Sequence, residues 1–574
     1  MRCYKPILLA FLLTLMFAGK SFATHFYGVD LFYTHIADNT YRITLVAFGD
    51  CSGQQYPKFP SAAPVIYILK GNTYFSNESL AIEAPANGIE VTPVCPAQLA
   101  YTTCVNPTGN VPGVTKFVYS KDVTLDGIAP NWKFVFKGEM GGSGLAGRSN
   151  SLTNVNPVGL IRLEVTLNNT QYSNSSPVYT TIATPFYCVN KSLNFNPGAV
   201  DADGDSLVYE LVQGLDSGTS LVNYVTGFSG SYPLDVVAGS FKFNKSTGQL
   251  SFTSANLQKS LVVYLVSEYR NGTLIGTSMR EMTVVILPCD NNPPKGDITN
   301  ASGASVADGV TVKTCRSNHE VAFDINPLDV DSAQLINMTV NGLPKAASLT
   351  INANNTTNPK SHFKWDITGV PEGDYTFFIT YLDDGCPIAS KQTQAYTVSI
   401  SREYLAAEVI SASCLRQGII KITTPKWWLP WTYNVSQDSK LMYNKDGITS
   451  TTLSDSLAAG SYGIRATNSV GCSADTVLDV PYGCYIVDLP NAFSPNGDGK
   501  NDKLYVRGRG IKSLSFSVYN RWGQMVFESN DVSAGWDGTF NGQDAPMEAY
   551  AYIISGVYGN NETFYKRGNV TLLR

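Results

Sequence analysis

Charge is what this chain has least of: Asp, Glu, Lys and Arg make up only 15% of its 574 residues, against about 25% in an average soluble chain. It has no basic excess either. With 41 basic against 46 acidic residues the formal net charge is −5, which excludes the electrostatic footprint of a nucleic-acid partner. Histidine is scarce. His25, His35, His319 and His362 form no HxH or HExxH pattern, and no GxSxG elbow occurs. The absence of any CxxC removes zinc-ribbon and thioredoxin-like chemistry. One long apolar run exists and it is N-terminal, so a helical membrane bundle is excluded. A Ser–His–Asp site or a carboxylate pair assembled in space leaves no sequence trace. A secreted hydrolase with its active site in residues 24–290 is therefore the enzymatic alternative.

One motif matches a cofactor pattern without its context. Gly142-Ser143-Gly144-Leu145-Ala146-Gly147 is GxGxxG, with Glu164 twenty residues after Gly144. A dinucleotide site needs a helix next, whose N-terminal amides hold the pyrophosphate. The residues that follow, Arg148 to Pro157, do not read as a helix, so a flexible loop is expected and no cofactor is assigned.

What is present suits export and β-structure. Arg2 and Lys5, the apolar stretch Ile7–Phe17 and the small residues Ser21 and Ala23 read as a signal peptide cleaved after Ala23. Loss of Arg2, Lys5 and Lys20 takes the net charge from −5 to −8. Cys3 leaves with the signal, and the ten cysteines that remain suggest disulfides in an oxidising compartment. Spacing does not fix their connectivity. Cys315–Cys386 and Cys414–Cys472 are expected because each pair would bracket one β-module; Cys188–Cys289 is a third candidate, and the other four cysteines are unassigned.

Tyr (32), Phe (26) and Gly (49) are plentiful, as twisted strands and tight turns require. Period-two alternation runs through Tyr41–Phe48, Trp132–Lys137 and Leu160–Leu167; Leu261–Val266 and Met282–Leu287 are β-branched runs. Asn271-Gly272, Asn341-Gly342 and Asp446-Gly447 read as turns between strands. The expected fold is all-β: antiparallel sandwich modules in series. Boundaries are expected at Thr184-Pro185, at Asn291-Asn292-Pro293-Pro294, near Ser401-Arg402 and at Tyr482-Gly483-Cys484. They give a signal at 1–23 and β-modules at 24–181, 182–292, 293–402, 403–484 and 485–574.

Two middle modules repeat a pattern. Pro371-Glu372-Gly373-Asp374-Tyr375 leads to Asp384-Gly385-Cys386, and Ala459-Gly460-Ser461-Tyr462 leads to Val470-Gly471-Cys472. A Gly turn opens a strand at an aromatic, with Tyr375 and Tyr462 as packing aromatics. The first module resembles PKD/Ig-like domains. The second resembles the short repeats of large gliding-associated surface adhesins.

The last 90 residues are the most specific. Leu489-Pro490-Asn491-Ala492-Phe493-Ser494-Pro495-Asn496-Gly497-Asp498-Gly499-Lys500-Asn501-Asp502 is a loop of turn formers. A hairpin follows, Leu514–Tyr519 and Gln524–Glu528 around Asn520-Arg521-Trp522-Gly523, then Gly535-Trp536-Asp537-Gly538 and the strand Ala549–Ile554. This stretch resembles the gliding motility-associated C-terminal domain of Bacteroidetes, the type B sorting domain of the type IX secretion system. The resemblance assigns Asn496, Asp498, Asn501, Asp502, Arg521, Trp522, Gly523, Trp536, Asp537 and Gly538 to the sorting motif. It implies as partners the type IX translocon and a porin-like outer-membrane accessory protein, and delivery through the periplasm to the cell surface or medium. The N-terminal half, from Ala23-Thr24-His25-Phe26-Tyr27-Gly28 to the segment ending at Tyr209, resembles a module that often precedes such domains and has no agreed activity.

Two further clusters carry candidate chemistry. Asp201-Ala202-Asp203-Gly204-Asp205 offers three carboxylates on a turn, as hard Ca2+ needs, and resembles the Asp-rich loops of cadherin-like bacterial repeats. An EF-hand would need Glu at its twelfth position, where Val212 stands. For Asn496, Asp498, Asn501 and Asp502 the expected role is to cap loop amides. Lys426-Trp427-Trp428-Leu429-Pro430-Trp431 holds three of the seven tryptophans; with Trp431 in the core, Trp427 or Trp428 is a candidate glycan contact. These features point to a surface adhesin or structural protein without an active site, its ligand a glycan or matrix component, with a secreted carbohydrate-binding protein as the other alternative.

Overall fold

The computed structural model describes residues 24–53, 56–156, 159–218, 220–401, 404–413, 416–425, 429–469, 471–481 and 485–574. The expected signal peptide, Trp427, Trp428, Cys414 and Cys484 lie outside them. The chain is all-β and falls into two compact units, Met1–Ser401 and Arg402–Arg574. Among the described residues no helix is long and apolar enough to cross a membrane.

The first unit is organised around a 15-stranded sheet. Its middle strand, Thr273–Leu287, is buried along most of its length. It pairs with Thr24–Ala37, with Ile161–Leu167 and, through the two-residue turn Asn271-Gly272, with Gln258–Arg270. Both turn residues have positive φ (52° and 78°), which Asn and Gly tolerate and the twist of a hairpin demands. Alternation then feeds two cores. Leu261 and Val263 face one, with Leu31, Ile43 and Phe134; Val262, Tyr264 and Val266 face the other, with Phe195, Leu250 and Met282. A strand buried on both faces reads as a continuous apolar run.

That sheet overturns the expected boundary at Thr184-Pro185. Phe186–Cys188 pairs in parallel with Val285–Leu287, and strands from both sides of the boundary share one sheet. Residues 24–292 form one two-core body. Two buried ion pairs sit at its centre on adjacent residues: Arg148 holds Glu281 through two contacts of 2.7 Å, and Arg280 lies 3.0 Å from Asp30.

Lys295–Ser401 is a two-sheet sandwich with strand orders that interleave along the chain. Phe323, Phe363, Phe377 and Tyr396 stack through its core with centroid spacings of 4.4, 5.1 and 5.7 Å. This sandwich is tied to the two-core body by Cys95–Cys386. Val94 bridges Ile388, Gln249 accepts the Ala395 N–H at 2.9 Å, and Gln392 accepts the Asn194 N–H at 2.8 Å. Cys386 is therefore not the partner of Cys315, because it lies at the joint rather than at the far end of its own module. Cys188–Cys289 forms as expected, and Cys51 pairs with Cys104. Cys315 and Cys472 are disulfide-bonded as well.

The second unit holds a pair of small sheets around Ile420, Trp431, Tyr433 and Ile464, and then the terminal sandwich around Phe493, Phe516, Trp536 and Ile554. Asp446-Gly447 is not a turn; it bulges inside the strand Lys440–Ile448. The repeated Gly-aromatic pattern does have a structural counterpart. The strands Gly373–Leu382 and Gly460–Asn468 both open on a Gly with φ near 150° (149° and 155°). Tyr375 then donates to Pro371 O at 2.9 Å and Tyr462 to Ala458 O at 3.1 Å. Tyr550 repeats the device, donating to Pro546 O at 2.8 Å. A tyrosine reaching back four residues pins the turn that feeds its strand.

Candidate functional site

The Asp-rich loop joins the strands Ala199–Val200 and Ser206–Leu211. Leu207 lies opposite Glu268 and Ser206 opposite Tyr269, so the neighbouring strand delivers Glu268 and Arg270 beside the loop. Asp201 shapes the loop itself: its Oδ1 accepts the N–H groups of Asp203 (3.0 Å) and Asp205 (2.9 Å). Oxygens of Asp201, Asp205 and Glu268 all lie within 4.8 Å of one another. Asp203 does not join them. Its carboxylate accepts the Ser175 N–H at 2.7 Å and faces Arg270 at 3.4 Å.

The site is asymmetric in charge. Arg270 binds Asp205 through two contacts of 2.7 Å and donates to Asn174 Oδ1. Asn174 in turn donates to Glu268 Oε2 at 2.6 Å. Glu268 is fully buried, and its Oε1 has no partner; neither has the buried Asp201 Oδ2. Burial, reinforced by the neighbouring aspartates, pushes Glu268 up to about 9 and Asp201 up to about 6. Two orphaned carboxylate oxygens beside a third acid are what a hard cation would satisfy. The sequence reading named Asp201 and Asp205 and missed Glu268. The signal was available: Glu268 keeps the parity of Val262, Tyr264 and Val266, so a lone acid continues an apolar face.

In the terminal sandwich the oxygen-rich loop holds itself together. Asp502 accepts the N–H groups of Gly497 and Gly499, both at 2.8 Å, and Asp498 accepts that of Lys500 at 2.7 Å. Asn496 accepts the Asp498 N–H at 3.1 Å. Trp536 is buried and donates to Thr539 O at 2.8 Å, while Asp537 caps Thr539, and Gly538 turns the chain against Pro495. Trp522 differs from all of these. It sits at the hairpin tip, 84% exposed. Asn520 holds that turn by accepting the Trp522 and Gln524 N–H groups, and Arg521 pairs with Glu548. The motif thus divides into residues that build the domain and one aromatic presented to the outside.

Other sequence candidates resolve plainly. Gly141–Ser143 is a single 3-10 turn followed by the strand Ala146–Arg148, so the GxGxxG segment has no helix after it. His35 contacts Asp38 O, His362 pairs with Asp324 at 2.7 Å, and His319 contacts Thr368. Among the described residues no ring nitrogen of these three is hydrogen-bonded to a serine; only the main-chain N–H of His35 meets one, donating to Ser175 Oγ at 3.2 Å. Trp431 is buried and donates to Ser450 O at 2.8 Å.

Against known proteins, residues 487–572 match the family profile described as the CHU_C Type IX secretion signal domain. The chain therefore carries a type IX secretion signal domain at its C-terminal end, a domain that directs export. No curated protein matches the chain. Among solved structures it is similar to the ICAM-5 D1–D4 ectodomain fragment, with 7% identity, 49% of this chain and 77% of that chain covered, and a TM-score of 0.26. It is also similar to the mouse nectin-like molecule 4 ectodomain, with 11% identity, 52% and 98% covered, and a TM-score of 0.20. The N-terminal four Ig domains of Dscam1 isoform 9.44 share 12% identity over 69% and 99%, with a TM-score of 0.18.

Proposed function

We propose that this protein is an adhesin-like or structural protein of the cell surface, delivered in two steps. The N-terminal signal takes it across the inner membrane, and the type IX translocon reads the terminal domain and passes it outward, with a porin-like outer-membrane protein as accessory partner. The observation that carries this reading is the type IX secretion signal domain at residues 487–572. The cargo supports it physically. Three disulfides and a joint made of main-chain and side-chain hydrogen bonds brace the first unit, which suits presentation of loops from a stiff scaffold.

The site formed by Asp201, Asp205 and Glu268 serves this role as a calcium brace. It fastens the loop after Ala199–Val200 to the strand Gln258–Arg270, and its carboxylates are the oxygen donors Ca2+ prefers. The extracellular ligand is a glycan or a matrix component. Fractionation of cells expressing a chain that ends at residue 484 tests the delivery step: the truncated protein accumulates in the periplasm, whereas normal surface delivery contradicts the reading.

A further inference from the structure

The joint between the two-core body and the sandwich contains a second set of orphaned oxygens. Asp329 Oδ2, Gln334 Oε1 and Asp383 Oδ2 are each buried and without a hydrogen-bond partner. The other atoms of the same side chains are occupied. Asp329 Oδ1 accepts the Asp331 N–H at 2.8 Å. Gln334 Nε2 donates to Asn291 Oδ1 at 2.9 Å. Asp383 Oδ1 accepts from Asn291 Nδ2 (2.9 Å), Gly385 N (3.0 Å) and Ser390 N (2.8 Å). Asn291 thus links Gln334 to Asp383, and it is packed so tightly that a Cβ on Gly385 would lie 2.2 Å from its amide.

Asp383 is only 3% exposed. Asp329 acts on it electrostatically, and burial with that neighbour pushes Asp383 up to about 6. Asp331 accepts the Asn292 N–H at 2.8 Å, and Asp384 accepts the Leu335 N–H at 2.8 Å. Asp383 and Asp331 therefore hold the linker Asn291-Asn292, and Asp329 interacts electrostatically with Asp331, Asp383 and Asp384. Among the described residues no Lys, Arg or His forms an ion pair with any of them. Lys391 lines the adjoining cleft of about 430 Å3, with Asp383 and Asp384, and pairs with neither. This is unlike the Asp205 site, where Arg270 supplies a positive charge.

A proton on Asp383 Oδ2 can be donated to only one neighbouring oxygen, so one of the three would stay orphaned. Two carboxylates and an amide carbonyl, linked through Asn291 and left without donors, are the donor set a hard cation of the calcium type takes. We propose that Asp329, Gln334 and Asp383 form a divalent-cation site of the calcium class at the linker joint. The ion locks the linker onto the sandwich beside Cys95–Cys386, so the joint carries a covalent tie and an ionic one. The site does not depend on how the chain is exported or on the Glu268 site.

Equilibrium dialysis of the chelator-stripped full chain against calcium, with bound metal counted by mass spectrometry, tests it. Asp329→Asn/Gln334→Leu binds one equivalent fewer than the parent, with unchanged circular dichroism. Asp329→Asn alone keeps the shape of the side chain and weakens that equivalent at least tenfold. The proposal is overturned if the parent binds no calcium at millimolar concentration. Equal counts in the folded double variant and the parent, or unchanged affinity in Asp329→Asn, overturn it as well.

Discussion

Replacing Cys95 and Cys386 together by serine probes how the first unit is held as one body. The bond spans 291 residues, of which Cys188–Cys289 already ties off 101. An effective loop of about 190 residues gives, by the chain-entropy relation, about 5 kcal/mol of stabilisation. The Val94–Ile388 bridge and the Gln249 and Gln392 contacts survive the substitution. They hold the sandwich in place at low temperature but not against the released chain entropy on heating. Calorimetry without reductant is the assay. The parent's first unit melts as one transition, and the double serine variant shows a separate, earlier transition for the sandwich. A variant trace that overlays the parent's would refute the reasoning, since the joint would then be held without the bond.

Other perturbations read different parts of the structure. Trp536→Ala removes a buried ring and its bond to Thr539 O, and lowers the stability of the terminal domain by about 3–5 kcal/mol in chemical denaturation. Trp522→Ala, at an 84% exposed position, changes stability by less than about 0.5 kcal/mol yet reduces the secreted fraction on immunoblots. Arg148→Met strands the buried Glu281 carboxylate and costs about 3–5 kcal/mol, and pairing it with Glu281→Met restores most of the loss. Asp30, Asp201 and Asp383 are all held near 6, chiefly by burial. These three groups therefore bind more protons in the folded chain than in the unfolded one between pH of about 4 and 6, as Glu268 does up to about 9, and the stability they contribute falls as pH rises through those windows. In chelator it melts higher at pH 4.5 than at pH 7, and Asp30→Asn reduces the difference. Calcium raises the melting temperature of the parent, and the rise shrinks in Glu268→Gln.

Much of the fold was legible in the sequence because strand signals are local. The period-two run Tyr41–Phe48 falls in the strand Thr40–Asp50, the run Trp132–Lys137 overlaps the strand Trp132–Phe136 in all but its last residue, and Asn271-Gly272 makes its hairpin. The terminal hairpin forms with Asn520–Gly523 as its turn. Long-range pairing was not legible. Thr184-Pro185 looks like a boundary from its neighbours, yet Phe186 pairs with Val285, a hundred positions away. Cys95 and Cys386 meet only because two separate folding units dock. At the Asp-rich loop the local carboxylates were readable, and their fate was not. Asp203 was drawn off by Ser175 and Arg270, and its place was taken by Glu268 from a paired strand. The linker Asn291-Asn292 read as a simple connector because nothing in its own sequence shows Asp331 and Asp383 closing on it.

The proposal that the terminal domain alone suffices as an address is tested most directly by transplanting it. Residues 485–574 are fused behind an unrelated exported β-protein, and the hybrid is followed by fractionation in cells with and without a type IX translocon. The hybrid reaches the surface or medium only where the translocon is present. Retention in the periplasm of both strains would contradict the assignment.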